Sequence, residues 1–115
     1  MQRIAEIDSH ELAERLEQDP QGVRLVDVRT PAEINQGVIP GAETVPLHLL
    51  PLQAGQWSDD MPTVFYCRTG ARSAQACAFM ASQGRAMALN LRGGIVDWAR
   101  RGLPIAPAPA ERSVG

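Results

Sequence analysis

Two short apolar runs, VRLVDV at residues 23–28 and TVFYC at residues 63–67, each lead directly into a loop with helix-start chemistry, and this succession constrains the chain most. Runs of five or six β-branched and aliphatic residues read as buried strands. Strands that alternate with helical patterns do not form hairpins; they pair in parallel, with helices as the crossovers. The spacing therefore predicts an α/β fold with a parallel central sheet covered by helices on both faces.

The remaining segments fit that scheme. RIAEI opens as a strand, and DSHELAERLEQ follows as a helix, with Asp8 as N-cap, Glu11 closing a capping box, and Leu12 and Leu16 one turn apart. After the first apolar run, TPAEI starts a second, brief helix with Thr30 as cap, Pro31 in its first turn and Glu33 closing the box. AETVPL reads as a third strand, LHLLPLQ as an apolar turn or helix, and AGQWSDDMP as a polar loop. The helix after TVFYC is expected to place Ala74, Cys77, Ala78 and Ala81 on one face and to stop at Gly84. AMALNL reads as the last strand and IVDWARRG as a closing helix, with Trp98 and Trp57 as core or rim residues.

At 115 residues the chain accommodates one domain with a genuine core. That domain is expected over residues 1–105. From Pro104 onward, PIAPAPAERSVG is proline-rich with little apolar bulk, so residues 106–115 read as a flexible Pro/Ala-rich tail. No apolar run approaches the roughly 20 residues of a spanning helix, and the start lacks the apolar centre of a signal peptide. A cytoplasmic location without membrane attachment is the expectation.

Charge is unevenly spread. Residues 1–60 hold eleven acids and four arginines, whereas residues 61–96 hold no acid and four arginines, Arg68, Arg72, Arg85 and Arg92. An electropositive segment this short, without interleaved aromatics, suits a small anion better than nucleic acid. The two cysteines, Cys67 and Cys77, do not make a disulfide framework, and with only His10 and His48 in unrelated segments the chain lacks metal-ligand spacing. Neither metal nor cofactor is expected.

Cys67 stands at the carboxyl end of a strand, where parallel α/β sheets place their ligand sites. The loop CRTGAR follows it into a helix. Successive backbone N–H groups of such a loop can curl round one anion, with Gly70 supplying positive φ, while the helix N-terminus and Arg68 and Arg72 add positive charge. These influences favour the thiolate. Cys67 could instead be a small buried hydrophobe, but that reading does not explain a glycine and two arginines in the next five positions. For Cys77, among alanines, an inert core thiol is the better reading.

LVDVRTPAEINQGVIPGAETVPL, VFYCRTGARSAQACAFMASQG and LRGGIVDWARRGLP, in that order, resemble the three hallmark blocks of a single-domain rhodanese over about residues 4–105. The resemblance implies a rhodanese-like fold and thiosulfate sulfurtransferase-type chemistry. Cys67 would be the catalytic nucleophile that carries a persulfide, and the active-site loop of Arg68, Thr69, Gly70, Ala71 and Arg72 would bind it. Arg68 or Arg72 would also meet the oxygens of a departing sulfite. Asp27, Arg29 and Glu33 would form a structural ion-pair network beside the site. The expected partners are a small anionic sulfur donor, thiosulfate or glutathione persulfide, and a thiol acceptor, a thioredoxin-like protein among the candidates, or cyanide. One departure is Val38, where the family often has histidine.

Two other readings compete. Phosphatases and arsenate reductases of related fold carry H-C-x5-R, whereas here Tyr66 precedes the cysteine and Arg72 follows it by only five positions, a shorter loop. A non-catalytic redox-sensing or protein-binding module is the second; retention of the cysteine argues against it.

Overall fold

Five parallel strands in the order β1-β5-β4-β2-β3 form the centre of the computed structural model, which describes residues 4–109. The strands are β1 (Glu6–Ile7), β2 (Arg24–Asp27), β3 (Glu43–Thr44), β4 (Thr63–Tyr66) and β5 (Ala88–Leu91). The helices are α1 (Ser9–Gln18), α2 (Pro31–Ile34), α3 (Leu50–Ala54), entered through a 3-10 turn at Leu47–Leu49, α4 (Ala71–Ser82) and α5 (Gly94–Arg100). The expected α/β architecture is present, with each strand run shortened at its ends.

Side-chain alternation divides the core between the two faces of the sheet. Leu25, Val64, Tyr66 and Leu91 pack with Leu12 of α1 and Ile95 and Trp98 of α5. Val26, Phe65 and Cys67 point the other way, against Leu50 of α3 and Ala76, Cys77 and Met80 of α4. The central strand β4 is buried along its whole length, which explains why it reads as a continuous apolar run rather than an alternating one.

Both expected capping boxes form. Asp8 accepts from the Glu11 N–H at 2.8 Å and Thr30 Oγ1 from the Glu33 N–H at 3.3 Å, with each glutamate reaching back to the cap N–H. Helix α4 is rotated from expectation. Its buried face is Ser73, Ala76, Cys77 and Met80, while Ala81 is exposed. The alanine pattern misleads because the rotation is set at the helix start, where Ser73 is turned inward onto Cys67.

The chain after α5 is held against the domain. Ala106 and Val38 exchange both backbone hydrogen bonds, at 2.9 and 2.8 Å, and the Trp98 indole N–H donates to the Pro104 carbonyl at 2.8 Å. Residues 104–106 are thus tied to the domain by backbone groups, which needs no apolar bulk. Residues 110–115 of the expected 106–115 tail lie outside the described residues. Among the described residues no helix is long and apolar enough to cross a membrane.

Candidate active site

Cys67 leaves the sheet at the carboxyl end of β4, because its carbonyl turns from the strand ladder to accept the Ile95 N–H at 3.0 Å. The next carbonyl, of Arg68, accepts from Val96 at 3.1 Å. Two N–H groups in the first turn of α5 thereby clamp the outer edge of the loop. Gly94 permits this approach: a Cβ there would lie 2.6 Å from the Cys67 carbonyl oxygen and still closer to that of Arg68. At the inner edge Gly70 adopts φ +120°, and the chain curls so that its N–H faces back to the sulfur.

Cys67 Sγ is the focus of this curl. The Gly70 N–H donates to it at 3.1 Å, the Ser73 N–H at 3.4 Å, and the Ser73 hydroxyl lies at 3.3 Å. The residue is 1% exposed. Burial pushes a thiol up, but hydrogen bonds from the Ser73 hydroxyl and from the N–H groups of Ser73, Gly70 and Arg72 outweigh it and hold Cys67 below the ordinary cysteine value. Cys77 has no such donors. Burial and the Glu6 charge push it up to about 12, so it remains a neutral core thiol, and both cysteines are free.

The two loop arginines have different surroundings. Arg72 makes two hydrogen bonds with Glu33, Nη1 to Oε1 at 2.7 Å and Nη2 to Oε2 at 2.9 Å. Glu33 is held down to about 2, chiefly by Arg72 against a smaller cost of burial, with further help from Thr30. Arg68 is exposed, and its side chain has no partner among the described residues. Thr69 and Ala71 are exposed on the same loop.

The expected network of Asp27, Arg29 and Glu33 divides in two. Asp27 and Arg29 form a buried pair, Arg29 Nη2 to Asp27 Oδ2 at 2.7 Å, and the same nitrogen donates to the Gly37 carbonyl at 2.6 Å. Glu33 belongs instead to Arg72. The capping box explains the split: it aims the Glu33 carboxylate back at Thr30 and out toward the loop, while Asp27 saturates the guanidinium edge of Arg29.

Arg29, Glu33 and Arg68 line one cleft of about 320 Å³, walled by Val96 and Ile105. The largest cavity, about 600 Å³ between α1 and α5 and lined by Leu16, Ile39 and Trp98, contains none of these residues. Size therefore does not identify the site; the sulfur and its donors do.

Two residues of the site are not among those expected from the sequence: Ser73, one position past Arg72, and Asn90 of β5. The Ser73 hydroxyl meets Asn90 Oδ1 at 2.6 Å, and Asn90 Nδ2 donates to the Gly70 carbonyl at 3.1 Å. A polar residue inside the apolar run AMALNL was the available signal, since a buried amide requires partners.

A doubly covered parallel sheet, with a cysteine wrapped in N–H donors at the end of its central strand, defines an α/β domain with a candidate thiol site at the place where such sheets bind ligands. The chain belongs to the Rhodanese-like domain family, which it matches over residues 8–101. It is 55% identical over 102 residues to a sulfurtransferase of Allochromatium vinosum, covering 89% of this chain and 94% of that protein. A putative sulfurtransferase of Bacillus subtilis is 34% identical, covering 83% of this chain and 90% of that one. Among solved structures, a rhodanese-like domain protein from Staphylococcus aureus is similar at 29% identity, with a TM-score of 0.77, covering 89% of this chain and 98% of its own. Fold, family and relatives together support sulfur transfer as the general class of reaction.

Proposed function

We propose that this chain is a sulfurtransferase that carries sulfane sulfur as a persulfide on Cys67, from thiosulfate or an organic persulfide to a thiol or to cyanide. The observation that carries the reading is the convergence of the Gly70 and Ser73 N–H groups on Sγ, at 3.1 and 3.4 Å. Donors so placed favour a sulfur anion before and after loading.

In the first half-reaction the Cys67 thiolate attacks the outer sulfur of thiosulfate. A sulfur–sulfur bond forms, the bond to the sulfonate sulfur breaks, and sulfite leaves with the electron pair. In the second, the acceptor thiolate or cyanide attacks the terminal sulfur, and Cys67 departs as the thiolate. Arg68, exposed at the mouth, is the arginine available to the anionic donor, because Arg72 is engaged by Glu33. The thiosulfate and glutathione persulfide donors, the thioredoxin-like acceptor and the cytoplasmic location belong to this proposal and rest on the chemistry of the loop and on the family.

The test is intact mass after exposure to thiosulfate, and separately to glutathione persulfide, followed by addition of cyanide. A gain of one sulfur, about 32 Da, that is absent in Cys67→Ser and discharged as thiocyanate supports the proposal. Failure of every donor to load Cys67 overturns it in favour of a binding module.

A further inference from the structure

We propose that Asn90 is a positioning residue that acts through Ser73, competing with the Cys67 sulfur for the Ser73 hydroxyl proton. The Gly70 carbonyl is an acceptor only, so the Asn90 atom 3.1 Å away must be the amide nitrogen. The other end of the amide, the oxygen, then faces Ser73 Oγ at 2.6 Å. Two oxygens at that separation need a proton between them, and only the hydroxyl can supply it.

Ser73 has one hydroxyl proton, and two groups lie within its reach: Asn90 Oδ1 at 2.6 Å and Cys67 Sγ at 3.3 Å. With the proton on the Asn90 side, Ser73 presents a lone pair to the sulfur and accepts from the neutral thiol. When the thiol proton is lost to solvent, that lone pair would face a negative sulfur, so the hydroxyl turns to donate to Sγ and gives up Asn90. Forming the thiolate therefore sacrifices one buried hydrogen bond. Ser73 and Asn90 are 0% and 4% exposed, so water does not readily replace it. Asn90 meanwhile keeps its hold on Gly70, whose N–H is the shortest donor to Sγ. The charged groups around the loop, namely Arg68, the Arg72 and Glu33 pair, and the buried Asp27 and Arg29 pair, have no direct contact with either Ser73 or Asn90 side chain.

The inference rests on Cys67 as the nucleophile, but its test needs no sulfur donor. In a Cys77→Ala background, the thiolate absorbance of Cys67 is titrated in the parent, Asn90→Ala, Ser73→Ala and the double variant. Asn90→Ala removes the Gly70 contact in either background, so the quantity that decides is the coupling between the two sites. Because Asn90→Ala frees the Ser73 proton for the sulfur, it is expected to shift the midpoint downward by roughly half a pH unit more in the parent than in Ser73→Ala, and Ser73→Ala alone should raise the midpoint by at least as much. Equal Asn90→Ala shifts with and without Ser73, or a coupling of the opposite sign, overturn the proposal. If Asn90→Ala does not fold, Asn90→Val, which suits a strand and also lacks both amide partners, completes the cycle. Loss of sulfur loading with a normal titration cycle would overturn the proposed function and leave this inference standing.

Discussion

Arg72 grips Glu33 through two parallel hydrogen bonds of 2.7 and 2.9 Å, so the second arginine of the Cys67 loop anchors that loop to helix α2. Planar two-point geometry of this kind suits arginine and not lysine. Both side chains are partly exposed, which limits the contribution to about 1 kcal/mol or less. Arg72→Lys is therefore expected to fold, to lose up to that much stability in urea unfolding, and to lower the rate of Cys67 alkylation as the loop loosens. Unchanged stability and unchanged alkylation would mean that the pair does not hold the loop.

The same pair predicts an acid dependence. The folded-state carboxyl of Glu33 lies at about 2, below its ordinary 4.5, so the folded chain binds this proton less readily than the unfolded chain. The stability it contributes is fully present above about 4.5 and is lost as pH falls through that value toward 2. Glu33→Gln should flatten the acid limb of the stability profile in this window and leave its slope near neutrality unchanged.

Arg68 is expected to act on the donor alone. Arg68→Ala should raise KM for thiosulfate by about fivefold to tenfold, with a smaller effect on an uncharged persulfide donor. Equal effects on both donors would remove its anion-binding role.

Gly94 tests the clamp on the outer edge of the loop. It has φ +61°, and an added Cβ would press on the Cys67 and Arg68 carbonyls. Strain and overlap together predict that Gly94→Ala loses about 2–4 kcal/mol and slows any Cys67 chemistry, whereas alanine at Gly84, where nothing lies near, carries only the strain of its φ of +79°. Paired thermal melts of the two variants measure the difference.

The segment after α5 should contribute stability in spite of its composition. Ala106→Pro removes an N–H that donates to the Val38 carbonyl at 2.8 Å, and is expected to cost about 1–3 kcal/mol. An unchanged melting temperature would return Ala106 to the status of a tail.

The features readable from the chain alone are local. Asp8 with Glu11 and Thr30 with Glu33 announce their helices because caps are satisfied within one turn, and TVFYC announces a buried strand because its residues suit no other environment. Cys67 was legible for the same reason, since the strand end, Gly70 and the start of α4 are contiguous. Partners between distant segments are set by the fold. Glu33 and Arg72 lie 39 residues apart, Ser73 and Asn90 lie 17 apart, and Val38 meets Ala106 across most of the chain. Which carboxylate an arginine takes, and which way a serine hydroxyl points, depends on where the sheet order brings β2, β4 and β5 together, and hydrogen bonds only a few ångströms long cannot be read from residues that the chain itself does not place side by side.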